Sequence, residues 1–124
     1  MNKILIVEDE EALGMTLKEE LADNGFVTEL VPEGGQAVFD AVGRFHPNLI
    51  LLDVMLPKMN GLEILKHLKS DAEMSRIPVI MLTSMEQDET IKEASSLGAA
   101  DYFVKSRHPL KEVIEKVKLY ITSH

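Results

Sequence analysis

The chain has 124 residues, 45% of them apolar, with 13 Lys and Arg against 21 Asp and Glu for a formal net charge of −8, and it contains no cysteine. That length suits one domain, residues 1–124, with a core large enough to need no covalent staples. The composition excludes disulfides, thiolate metal sites and a thiol nucleophile, and its acidity argues against a nucleic-acid-binding surface or a polybasic membrane anchor.

The first predicted strand is the apolar run Ile4–Val7. It is far too short for a signal-peptide core, and acids follow at once. No stretch approaches the ~20 apolar residues of a membrane span, so a cytoplasmic protein is expected. Glu11 to Asn24 reads as a helix, with Leu13, Leu17 and Leu21 on one stripe and Gly25 as its stop. Val27–Val31 is a second, weaker strand, punctuated by Pro32-Glu33-Gly34. Ala37, Val38, Ala41, Val42 and Phe45 mark one face of a second helix, ending before His46-Pro47. Leu49–Leu52 is continuously apolar, as in a strand buried on both faces. Asp53 to Asn60 is a loop holding Pro57, and Leu62, Leu65 and Leu68 stripe a third helix. Val79–Leu82 is the fourth strand, after Pro78. Ile91, Ala94 and Leu97 mark a short fourth helix closed by Gly98, and Tyr102–Val104 is the fifth strand. Pro109 suits the first turn of a last helix carrying Leu110, Val113, Ile114, Val117 and Ile121. This alternation predicts an α/β fold, a parallel sheet with helices on both faces.

In an open parallel sheet, ligands bind beyond the carboxyl ends of the strands. The polar residues at those ends are Glu8, Asp9, Glu10 and Glu11 after strand 1, Asp53 after strand 3, Thr83 and Ser84 after strand 4, and Lys105 after strand 5. Glu8, Asp9 and Asp53 would converge on one edge. Two carboxylates about 4 Å apart repel by roughly 4 kcal/mol at an effective dielectric of 20. A hard cation would relieve that, and an all-oxygen set suits Mg²⁺. The competing reading is a solvated acidic loop at the start of the first helix, where negative charge is favourable. That reading is preferred for Glu10 and Glu11, while for Asp9 and Asp53 spacing alone leaves both open. A carboxylate at Asp53 can attack phosphorus once charge on the incoming group is offset. Lys105 would add positive charge and Thr83 a hydroxyl. Singly, each also reads as a surface lysine and a strand-end cap.

Four segments in order resemble the receiver domains of two-component response regulators. They are Ile4-Leu5-Ile6-Val7-Glu8-Asp9-Glu10, Leu51-Leu52-Asp53-Val54-Met55-Leu56-Pro57 through Asn60-Gly61, Val79-Ile80-Met81-Leu82-Thr83-Ser84, and Gly98-Ala99 through Asp101-Tyr102-Phe103-Val104-Lys105. The resemblance covers essentially the whole chain. It implies a flavodoxin-like, doubly wound, five-stranded sheet of order 2-1-3-4-5 with five helices, the order that chemotaxis receivers illustrate. It further implies that Asp53 accepts a phosphoryl group from a phosphohistidine on a histidine kinase or a histidine phosphotransfer protein. Glu8 and Asp9 match the acidic pair that binds Mg²⁺, with Asp9 the more direct ligand, and Met55 matches the position whose backbone carbonyl joins them. Thr83 matches the switch hydroxyl, Tyr102 the aromatic that moves with it, and Lys105 the phosphate-binding lysine. Pro57 and Gly61 match the loop that shapes the site.

Two departures carry expectations of their own. The family commonly has a cis proline after the lysine, whereas here Ser106 follows Lys105. A cis bond before a non-proline costs about 2.5–4 kcal/mol, so a trans bond is expected. Met55 and Met85 stand two residues after Asp53 and Thr83. In the family these positions influence water access to the phosphoaspartate, so slow self-dephosphorylation is expected. The resemblance makes the chain a phosphorylation-activated switch rather than an enzyme on other substrates. Its output surface would be helix 4, strand 5 and helix 5, acting on a downstream protein target or an output domain. A stand-alone receiver and the receiver of a longer regulator read alike. A degenerate receiver, acting as a phosphorylation-independent interaction module, is the main alternative. An aspartyl-phosphate phosphatase would want an acid where Met55 stands. A flavin-binding module would want a Gly- and hydroxyl-rich loop where Glu8-Asp9-Glu10-Glu11 stands.

Overall fold

A computed structural model describes residues 2–122. Strands and helices alternate as β1 (Lys3–Val7), α1 (Glu11–Asp23), β2 (Val27–Val31), α2 (Gln36–Phe45), β3 (Leu49–Leu52), α3 (Gly61–Ser70), β4 (Val79–Thr83), α4 (Asp88–Ser96), β5 (Asp101–Val104) and α5 (Leu110–Thr122). A short 3₁₀ turn, Met74–Arg76, joins α3 to β4 and was not expected from the sequence. The five strands form one parallel sheet in the order β2-β1-β3-β4-β5. This is the flavodoxin-like arrangement, with the order reversing beside β1 and β3.

Side chains on successive strand residues point to opposite faces. Leu5, Val7, Ile50, Leu52, Val79 and Met81 therefore share a core with Val38, Ala41 and Val42 of α2, Ile64, Leu65 and Leu68 of α3 and Ala94 of α4. Ile4, Ile6, Leu49, Leu51, Ile80 and Leu82 face the other way, onto Leu17 and Leu21 of α1 and Val113, Ile114 and Val117 of α5. Two-sided burial explains why β1, β3 and β4 read as unbroken apolar runs. The weaker pattern of β2 has the matching cause, since it is an edge strand with four of its five residues half-buried.

Register brings the strand ends level. Val7 pairs with Leu52, so Glu8 and Asp53 leave the sheet side by side. Val104 pairs with Thr83, and the Lys105 N–H continues the ladder to the Thr83 carbonyl at 2.9 Å. Thr83, expected just after β4, is its last residue and is fully buried. No peptide bond among the described residues is cis, so Lys105–Ser106 is trans.

Candidate functional site

Glu8 extends β1 through its N–H to the Val31 carbonyl at 3.1 Å, and the Asp53 N–H meets the Val7 carbonyl at 3.1 Å. Both side chains turn inward, with Glu8 2% and Asp53 3% exposed. Asp53 Oδ1 accepts from the Met55 N–H at 3.2 Å. Lys105 Nζ donates to Asp53 Oδ2 at 2.9 Å, to Glu10 Oε1 at 2.7 Å and to Glu8 Oε2 at 3.1 Å. One oxygen each from Glu8, Glu10 and Asp53 lie within 4.8 Å of one another.

Burial pushes the Glu8 carboxyl up to about 7, because the desolvated charge outweighs the Glu10 N–H and the Lys105 ammonium that favour it. Burial also works against the Lys105 ammonium, but its bonds to Glu10, Asp53 and Glu8 prevail and hold it above the ordinary lysine value. Fully ionised, the three carboxylates face one ammonium, which leaves two negative charges uncompensated. That charge balance and an all-oxygen donor set fit a hard divalent cation such as Mg²⁺.

The acidic loop divides in a way the sequence did not reveal. Glu10 has extended backbone, with φ −76° and ψ 106°. Between Glu8 and Glu10 the chain bends at Asp9. Across that bend Glu8 and Glu10 both reach Lys105, and the Glu10 N–H donates to Glu8 Oε2 at 3.0 Å. Asp9, between them, is outside this cluster and exposed. It lines an adjoining cleft of about 540 Å³ with Met55, Pro57, Asn60 and Met85. Glu10, read from the sequence as a solvated residue of the helix start, is therefore a third carboxylate of the site. No sequence signal marks it, because its place beside Glu8 depends on the bend at Asp9.

The loop after Asp53 is held by two backbone contacts that only glycine permits. A Cβ at Gly61 would lie 2.0 Å from the Asp53 carbonyl oxygen, and the Gly61 N–H donates to the Val54 carbonyl at 2.8 Å. A Cβ at Gly34 would lie 2.0 Å from the Met59 carbonyl oxygen, and the Gly34 N–H donates to the Pro57 carbonyl at 3.0 Å. Gly34 reads in the sequence as turn punctuation, yet it clamps the β2–α2 loop onto the Asp53 loop. A Lys58–Glu33 ion pair joins the same two loops. Asn60 Oδ1 accepts from the Glu63 N–H at 3.0 Å and caps α3.

Thr83 and Tyr102 meet on the β4–α4 loop. Thr83 Oγ1 accepts from the Met85 N–H at 3.3 Å, and the Tyr102 hydroxyl donates to the Met85 carbonyl at 2.7 Å. Burial, and then the Asp53 charge, raise the Tyr102 phenol above its usual range, which keeps it a donor. One loop residue thus ties the hydroxyl on β4 to the aromatic on β5. Of the site residues expected from sequence, Glu8, Asp53 and Lys105 are in direct contact, Thr83 and Tyr102 join through Met85, and Asp9 and Met55 line the adjoining cleft.

Comparison with known proteins agrees with this geometry. The family model for the response regulator receiver domain matches residues 4–118. The DNA-binding response regulator MtrA of Mycolicibacterium smegmatis is 36% identical over 116 residues, which are 94% of this chain and 49% of that protein. The phosphate regulon transcriptional regulatory protein PhoB of Rhizobium meliloti is 38% identical over 103 residues, 83% of this chain and 45% of that protein. The chain thus spans about half the length of the curated relatives it matches. Among solved structures, the BeF3-activated N-terminal receiver domain of Klebsiella pneumoniae RstA superposes with a TM-score of 0.88 at 28% identity, over 97% of this chain and 98% of that one.

Proposed function

Because the chain belongs to the response regulator receiver domain family, we propose that it is a phosphorylation-activated switch of a two-component system, with Asp53 as the phosphoacceptor. The observation that carries this reading is the contact of the Lys105 ammonium with Asp53 Oδ2 at the carboxyl edge of the sheet, beside two further carboxylates. The donor is a phosphohistidine on a histidine kinase or a histidine phosphotransfer protein. An Asp53 carboxylate oxygen attacks phosphorus in line, the new O–P bond forms, and the N–P bond breaks with its electron pair returning to the imidazole. Asp9, Asp53 and the Met55 carbonyl would hold Mg²⁺, with Glu8 and Glu10 completing the acidic set, and the ion would supply charge compensation for the transferring group. The Lys105 ammonium supplies the protein's own share of that compensation.

The phosphoryl group adds acceptor oxygens next to Thr83. Thr83 Oγ1, which accepts from the Met85 N–H, would donate its own proton to those oxygens, and its movement toward them would shift the loop that Tyr102 also grips. The α4–β5–α5 surface then changes as a population shift between two states. That surface acts on a downstream protein target or an output domain, and the chain catalyses only its own phosphorylation and dephosphorylation. None of the described helices is long and apolar enough to cross a membrane, and a cytoplasmic location belongs to the same proposal. The test is incubation with Mg²⁺ and acetyl phosphate followed by intact mass. A gain of one phosphoryl group in the wild type, lost in Asp53→Asn, supports the reading. No gain in the wild type refutes it and favours an interaction module independent of phosphorylation.

A further inference from the structure

The backbone that presents Lys105 is secured on one side by the sheet and on the other by a turn in which two backbone bonds hold the Val104 carbonyl and one imidazole holds the Val104 N–H. β5 is an edge strand, and the Lys105 N–H turns inward to the Thr83 carbonyl at 2.9 Å. Consecutive N–H groups of a strand alternate in direction, so the Val104 N–H faces away from the sheet. Val104 is buried, 3% exposed, which leaves that donor dependent on a protein acceptor. His108 Nδ1 provides it at 2.9 Å. Nδ1 also lies 3.1 Å from the Val104 carbonyl oxygen. That oxygen already accepts from the Arg107 and His108 N–H groups at 2.9 and 3.0 Å. Both of its lone pairs are therefore used, which makes Nδ1 the acceptor and puts the ring proton on Nε2. The ring also stands edge-on to buried Phe103, with centroids 5.2 Å apart and planes at 81°.

We infer that His108 is a positioning residue for Lys105: its imidazole closes the Val104–His108 turn and so aims the ammonium at the phosphoryl group entering on Asp53. The inference rests on the receiver reading above. Two variants separate the acceptor from the ring. His108→Phe keeps the contact with Phe103 and removes the acceptor, and His108→Asn returns an acceptor oxygen near the place of Nδ1. Amide hydrogen exchange at Val104, read by NMR on the metal-free protein, needs no phosphorylation. Exchange there should be faster in His108→Phe and recover in His108→Asn. Phosphorylation by acetyl phosphate at saturating Mg²⁺ should slow about fivefold in His108→Phe, the factor that one net hydrogen bond carries, and recover in His108→Asn. Unchanged Val104 exchange in His108→Phe overturns the inference, as does an unchanged phosphorylation rate. So does equal slowing in both variants, which would mark a role of the imidazole other than its Nδ1 acceptor. If the wild type takes up no phosphoryl group, the receiver reading fails and the positioning role falls with it, while the exchange data still report whether His108 holds the turn.

Discussion

Glu8→Gln should remove a pH dependence of stability that this site builds into the metal-free protein. The Glu8 carboxyl rises from an ordinary 4.5 to about 7 because it is desolvated between β1 and β3. Between those values the folded state keeps a proton that the unfolded chain releases. Stability linked to Glu8 is therefore fully present below pH 4.5 and is lost as pH rises through about 7. Each tenfold change in proton affinity is worth about 1.4 kcal/mol, so the whole loss is about 3 kcal/mol. Lys105, also raised on folding, shifts in the same linkage sense, but its contribution is lost only above the ordinary lysine value of 10.5 and is constant across this window. Gln keeps an acceptor for the Glu10 N–H and for Lys105 while removing the titration. Urea unfolding in the presence of a chelator, across pH 4.5 to 8, measures the difference between the two proteins. The wild type should lose about 3 kcal/mol relative to Glu8→Gln over that range. Parallel curves for the two proteins, or a wild type that gains stability relative to the variant with rising pH, would refute the reasoning.

Two further outcomes follow from the same geometry. Lys105→Met removes the ammonium from the centre of three carboxylates, so Mg²⁺ should bind about tenfold tighter or more as a like charge is withdrawn, while phosphorylation slows. Calorimetric titration read beside the phosphorylation rate checks the opposed signs. Met55 and Met85 border the cleft beside Asp53, so the phosphorylated protein should decay slowly enough to follow over minutes. Met85→Asn should speed that decay, and a wild-type half-life of seconds would contradict the shielding.

Much of this architecture is legible in sequence because burial on both sheet faces writes unbroken apolar runs, and Leu49–Leu52 followed at once by Asp53 locates a strand and its functional end together. β2 is fainter because an edge strand needs less burial. The 3₁₀ turn Met74–Arg76 leaves no periodicity, being three residues long. Site residues were legible where they end a strand, as Glu8, Asp53 and Lys105 do. Glu10 was not, since its participation depends on how the chain bends at Asp9 beyond β1. Gly34 and His108 were missed for a related reason: each acts through a contact with a backbone group, and composition carries no trace of such contacts.

The central claim is that Asp53 carries the phosphoryl group. An acylphosphate is reduced by borohydride to an alcohol, which turns a phosphoaspartate into homoserine. Peptide mapping after phosphorylation with acetyl phosphate and Mg²⁺ should find that conversion at residue 53 alone. Conversion at Glu8 or Glu10 instead, or at no carboxylate in a protein that has gained phosphoryl mass, would contradict the account.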